Sequence, residues 1–116
     1  MTLKFTEVCI DAHDIHALAG WWASVLGWPQ VDTDDGDVAL RAPDGAGPDW
    51  LFLQVLDDKV VKNRIHFDFT PDDQQREVAR VVGLGARHVD IGQGDESWVV
   101  LADPEGNEFC ILAADD

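Results

Sequence analysis

The stretch Lys62-Asn63-Arg64-Ile65-His66-Phe67-Asp68-Phe69-Thr70-Pro71 decides the fold. Read as a strand, it sets Ile65, Phe67 and Phe69 on one face and Arg64, His66, Asp68 and Thr70 on the other, because strand side chains alternate with period two. One face suits a core; the other suits chemistry. Outward from it, the second half of the chain retraces the first. Glu7 matches His66 at an offset of 59 residues, and Leu26-Gly27 matches Leu84-Gly85 at 58. Val38-Ala39-Leu40-Arg41-Ala42-Pro43-Asp44-Gly45 likewise parallels Val99-Val100-Leu101-Ala102-Asp103-Pro104-Glu105-Gly106.

Each half then reads strand, helix, strand, strand, strand. In the first, residues 3–10 form a strand, and Asp14 caps a helix whose stripe is Ile15, Leu18, Ala19, Trp22, Val25 and Leu26, closed by Gly27. Strands follow at 28–31, 38–42 and 50–56, with a hairpin through the acidic turn at 32–37. In the second half, Thr70 is expected as the N-cap with Pro71 at the first helical position, and Val78, Val81 and Val82 form the buried face. Strands at 86–91, 97–102 and 108–112 complete the module. The fold class expected is α+β: two tandem βαβββ modules forming a curved, barrel-like mixed sheet with the helices outside. At 116 residues the chain fits a single domain, with module one at 1–57, a short linker at 58–63 and module two at 64–116.

The 23 acids against 8 bases give a net charge of −15, a field that repels nucleic acid and anionic membranes and favours cationic ligands. No apolar run has the length of a membrane span, and no secretory leader is visible, so a cytoplasmic protein is expected. Cys9 and Cys110 have neither disulfide-scaffold nor zinc-ribbon spacing and read as small, buried, reduced thiols.

With the helix face of the outer strands assigned to Thr6, Val8, Ile10, Leu51, Leu53, Val55, Ile65, Phe67, Phe69, Phe109 and Ile111, the opposite face carries Glu7, Gln54, His66 and Glu108. Buried carboxylates need a compensating cation or hydrogen-bond partner, and two Glu, one Gln and one His suit a divalent metal with water in its open positions. Each residue taken singly also has a structural explanation. His66 serves as a core or pocket histidine, Glu7 pairs with Arg64, Gln54 bonds within the sheet, and Glu108 bonds to Trp98 or a hydroxyl. Trp50, Phe52 and Trp98 are candidates for stacking on a ligand, with core packing as the alternative for each.

The repeated βαβββ plan, the Leu26-Gly27-Trp28 helix ending, the Lys62 to Asp68 opening and the close Leu101-Ala102-Asp103-Pro104-Glu105-Gly106-Asn107-Glu108-Phe109-Cys110 resemble the glyoxalase, bleomycin-resistance and extradiol-dioxygenase superfamily, the vicinal oxygen chelate proteins. That resemblance implies metal ligands at Glu7, Gln54, His66 and Glu108, with Glu108 and Glu7 as the proton-transferring carboxylates. It implies a divalent ion (Zn, Ni, Mn or Fe) that stabilises an enediolate in a lyase or isomerase; Trp50, Phe52, Trp98 and Arg64 are the residues expected to bind the ligand. It further implies a small-molecule ligand and a homodimer. The alternative is bleomycin-resistance-like sequestration of a cationic aromatic drug without catalysis. Two departures bear on the activity: no basic cluster is present to hold glutathione carboxylates, and Glu7 stands where an extradiol dioxygenase would need a second His.

Overall fold

A computed structural model describes residues 2–115. It divides at Asp58/Lys59 into two compact units. The first unit runs β1 (Glu7–Ala12), α1 (Ile15–Leu26), β2 (Gln30–Asp32), β3 (Val38–Leu40) and β4 (Asp49–Gln54). The second runs β5 (Phe67–Phe69), α2 (Gln74–Gly83), β6 (Arg87–His88), β7 (Val99–Ala102) and β8 (Glu108–Ile111). Each is βαβββ, and the sheet orders β1-β4-β3-β2 and β5-β8-β7-β6 are the same topology used twice. The first and last strands of each module pair in parallel, and the remaining neighbours pair antiparallel. The α+β, two-module architecture expected from the repeat is therefore the one observed, as two separately hydrogen-bonded four-stranded sheets.

In the first module, the Ala17 N–H donates to Asp14 Oδ1 at 3.1 Å, so Asp14 is the N-cap. Gly27 closes α1 with φ 71, a left-handed conformation that a β-carbon would strain. The stripe Ile15, Leu18, Ala19 and Trp22 is buried against Val38, Leu40, Trp50 and Phe52. Trp22 and Trp28 meet Trp50 edge-on, at centroid distances of 5.2 and 5.8 Å. This packing reverses one expectation. Trp50 and Phe52 lie on the helix face of β4, and Leu51 and Leu53 lie on the open face. The register agrees, since Val8, Ile10 and Ala12 pair with Trp50, Phe52 and Gln54. The hairpin expected through the acidic turn is present, with the Thr33 N–H donating to Asp37 O at 2.9 Å.

In the second module, Phe69 and Phe109 meet edge-on at 6.1 Å on the core face, and Val81 of α2 is buried. The helix begins later than expected. Asp73 is its N-cap, accepting from the Arg76 N–H at 3.1 Å, so Thr70 and Pro71 lie ahead of it. Ile65 also departs from its expected place, being 78% exposed on the bend before β5. Among the described residues no helix is long and apolar enough to cross a membrane.

Candidate functional site

The parallel β5–β8 pair defines the open face of the second sheet. Asp68 is the register partner of Cys110, between the core-facing pairs Phe67–Phe109 and Phe69–Ile111. His66 precedes Asp68 by two residues, and its Nε2 lies 3.5 Å from Asp68 Oδ1. His66, Asp68 and Cys110 each offer one ligand atom, all within 4.8 Å of one another. They line a pocket of about 310 Å³ whose walls include Trp98, Ile91 and Leu112. Trp98 is 37% exposed, as a rim residue should be. Cys110 is buried, and its thiol is pushed up to about 11 by desolvation first, then by the charge of Asp68 and a hydrogen bond to it. At neutral pH the metal-free thiol is therefore protonated and donates to the Asp68 carboxylate.

Glu108 shares that strand face but is already engaged. Its Oε1 lies 2.5 Å from Lys59 Nζ, and its Oε2 accepts from the Asn63 N–H at 3.0 Å. Burial by itself raises the Glu108 pKa, yet the bonds from Lys59 and Asn63, with the ammonium charge, outweigh it and hold the carboxyl below its ordinary value. The residue thus anchors the segment that leads into β5. Asn63 Nδ2 extends the network to Asn107 Oδ1, and Asn107 in turn is held by the buried Asp103.

In the first module the expected pair separates. Glu7 and Asp49 are register partners on the open face, whereas Gln54 belongs to the Trp50–Phe52 face and its Nε2 donates to the His13 carbonyl. Glu7 and Gln54 consequently point to opposite sides of the first-module sheet, while His66 and Glu108 share the open face of the second-module sheet. Glu7 is exposed, with the Cys9 thiol 4.0 Å from its Oε2, and Cys9 is exposed rather than buried as expected. Desolvation, then the charges of Glu7, Asp11 and Asp37, raise the Cys9 pKa. Glu7 lines a groove of about 520 Å³ with Asp32, Asp35, Asp37, Asp49 and Leu51. Among the expected ligand-stacking residues, Trp50 and Phe52 are core, at 5% and 0% exposure, with Trp50 packed against Trp22, Trp28 and Phe52. Arg64 is exposed on the bend before β5, and Trp98 alone of the four lines the second-module pocket.

The residues that sequence reasoning passed over as donors are Asp68 and Cys110. Their signal was present: Asp68 alternates with His66, and Cys110 alternates with Glu108, which places all four on one face.

Two tandem βαβββ modules, each with polar side chains on the open face of its sheet, define the class of α+β fold. The model of the glyoxalase-like domain matches residues 7–112, and the chain belongs to that family. Solved structures of this fold include a glyoxalase/bleomycin resistance protein/dioxygenase family enzyme from Burkholderia phytofirmans PsJN. It is 19% identical with a TM-score of 0.70, covering 94% of this chain and 97% of that one. The fosfomycin resistance protein FosX from Mesorhizobium loti is 16% identical, TM-score 0.69, with 97% and 92% covered. The trypanothione-dependent glyoxalase I of Leishmania major is 15% identical, TM-score 0.67, with 97% and 87% covered. No curated protein matches the chain by sequence.

Proposed function

We propose that this chain is a small-molecule enzyme of glyoxalase-like type: a metal-dependent lyase or isomerase acting through an enediolate on a substrate with oxygens on adjacent carbons. The reacting groups are those of the second-module pocket. The observation that carries the reading is the convergence of His66, Asp68 and Cys110 on one concave face, three unlike donors at the mouth of a cavity walled by Trp98. Its support is membership of a family whose fold is shared with glyoxalase I.

When bound, a divalent ion supplies Lewis acidity that lowers the cost of negative charge on adjacent oxygens. The chain's own side chains do the rest. Asp68, half exposed on the pocket wall beside His66, stands within reach of a substrate proton through the carboxylate oxygen that holds no ion. Ile91, Trp98 and Leu112 cover the carbon skeleton and exclude water. A pocket of about 310 Å³ sits at the small end of the ~300–1,000 Å³ usual for ligand sites. Apart from His66, none of its lining residues is basic. A compact, uncharged or cationic substrate therefore suits it better than a glutathione adduct, whose carboxylates the −15 protein repels.

We infer a homodimer, supported by Leu3 and Phe5, which are 91% and 72% exposed just ahead of edge strand β1. A reducing cytoplasm, which keeps both unpaired thiols available, fits the same picture.

The test is turnover of a panel of 2-oxoaldehyde adducts and other vicinal-oxygen compounds by metal-loaded and chelator-treated protein. Chelator-sensitive turnover supports the reading. Metal-independent behaviour across the panel removes it. The second reading, sequestration of a cationic aromatic drug, draws on the acidic groove around Glu7 in the first module. Against it, Phe52 is fully buried and Trp50, which lines the groove, is only 5% exposed, so little aromatic face is offered for stacking.

A further inference from the structure

We propose that His66, Asp68 and Cys110 together hold a divalent ion of zinc type through nitrogen, oxygen and sulfur, with a fourth coordination position open to the Trp98 pocket. This deepens the metal-dependent reading above and rests on it; the new content is which atoms hold the ion and which ions they select.

Metal–ligand bonds of about 2.0 Å to nitrogen or oxygen and about 2.3 Å to sulfur, at the tetrahedral angle, put donor atoms roughly 3.3 to 3.5 Å apart. His66 Nε2 and Asp68 Oδ1 are already 3.5 Å apart. The full set lies within 4.8 Å, so closure needs movement of about 1 Å at the sulfur-facing contacts, which side-chain rotation supplies. Backbone register does the positioning. Asp68 and Cys110 are partners across the parallel β5–β8 pair, held by the ladder on both sides, and His66 enters from the residue just before β5.

Exposure is graded as a catalytic rather than a structural centre requires. Cys110 is 3% exposed, while the His66 and Asp68 side chains are 35% and 49% exposed and face the cavity. Three protein donors and one open side is the arrangement in which zinc retains a site for water or substrate.

Donor chemistry then narrows the ion. A thiolate beside an imidazole and a single carboxylate favours zinc, or cobalt in its place, over magnesium, calcium or manganese, which prefer all-oxygen sites. The neighbouring carboxylate that would shift the balance toward oxygen, Glu108, has both oxygens committed to Lys59 and Asn63. On binding, the ion takes the place of the thiol proton, which leaves to solvent.

The experiment is cobalt substitution of the metal-free full chain, read by absorption. We expect uptake of one equivalent, a near-ultraviolet sulfur-to-cobalt charge-transfer band, and bleaching of that band by added zinc. Cys110→Ser should abolish the band with the far-UV circular dichroism unchanged. Asp68→Asn, at a half-exposed side chain that tolerates change, should weaken cobalt binding tenfold or more. Cys9→Ser should leave the band intact.

Uptake without a charge-transfer band overturns the Cys110 assignment and leaves the metal-dependent reading standing. Loss of uptake in Glu7→Gln, with the Cys110→Ser spectrum unchanged from wild type, likewise overturns it in favour of the first module. Absence of stoichiometric uptake of either cobalt or zinc overturns both the assignment and the reading.

Discussion

Lys59 sets its ammonium 2.5 Å from Oε1 of Glu108, across 49 residues of sequence, and so ties the start of the second module to the first residue of its last strand. The pair is largely withdrawn from water, with side-chain exposures of 19% for Lys59 and 8% for Glu108. Glu108→Gln keeps the size and one acceptor for the Asn63 N–H but loses the ion pair, and hydrogen bonds to charged groups contribute about 1.5–3 kcal/mol each. We expect a loss of about 2 kcal/mol, or a fall in Tm of roughly 8 °C for a domain of this size. The pH sign follows from the depressed pKa. Glu108 contributes fully above the ordinary glutamate value of 4.5, and the contribution is lost as pH falls through the lower folded value. Thermal melts of wild type and Glu108→Gln from pH 7 down to pH 3 should therefore converge in acid; a gap that stays constant with pH would contradict the assignment.

The turn ahead of β8 depends on a second buried carboxylate. Asp103 is 1% exposed and accepts from the Glu105 N–H at 3.0 Å, the Asn107 N–H at 2.9 Å and the Asn107 side-chain amide at 2.9 Å. Removing it strands these donors out of water, at about 1–3 kcal/mol for each left unsatisfied. Asp103→Ala should cost about 3 kcal/mol or more in urea unfolding. Asp103→Asn should cost less, because its oxygen still accepts from the backbone. Because Asn107 links Asp103 to Asn63, Asp103→Ala should also increase protease sensitivity within residues 59–63. Intact resistance there would show that the turn and the leading segment are independent.

Much of this architecture was legible because it is periodic and doubled. The cap at Asp14 and the stop at Gly27 are local patterns and the 59-residue offset between Glu7 and His66 is a repeat, and all three survive into the structure. The face of β4 was not legible, since Asp49–Gln54 is apolar on both sides and the polar Gln54 drew the wrong side toward the solvent-facing site. Bulk decided it: Trp50 and Phe52 fill the space beneath α1, and Leu51 and Leu53 do not. Thr70 and Asp73 are both capping residue types, and only the bond from Arg76 distinguishes them. At the site, alternation brought His66, Asp68, Glu108 and Cys110 to one face. The withdrawal of Glu108 by Lys59 depends on a contact between distant residues that no periodicity encodes.

The two thiols should behave oppositely toward an alkylating reagent. Cys9 is exposed, whereas Cys110 is buried with its thiol pushed up to about 11, and only the thiolate attacks. In metal-free native protein at pH 8, iodoacetamide should label Cys9 first and leave Cys110 unmodified until denaturant is added. Peptide mass mapping over a time course checks the order. Asp68→Asn removes both the charge and the hydrogen-bond acceptor that hold the Cys110 proton, so labelling at Cys110 should become faster in that variant. Equal labelling of the two cysteines in wild type would contradict the burial of Cys110.

The tryptophans separate core from pocket in a single set of variants. Trp50 packs edge-on against Trp22 and Trp28 and tilts against Phe52, so Trp50→Ala and Phe52→Ala each open a large void beneath α1. Large-to-small changes of this kind cost about 3–5 kcal/mol. Trp98, on the pocket rim, buries less and should cost about 1 kcal/mol or less when truncated, in line with partly exposed sites. Ligand response should run the other way. A compound occupying the His66–Asp68–Cys110 pocket touches Trp98, so its quenching of tryptophan fluorescence should vanish in Trp98→Phe. Trp28→Phe, altering a first-module tryptophan, should retain that quenching. Quenching that persists without Trp98 would move the ligand to another surface, and with it the assignment of the second-module pocket as the place where substrate binds.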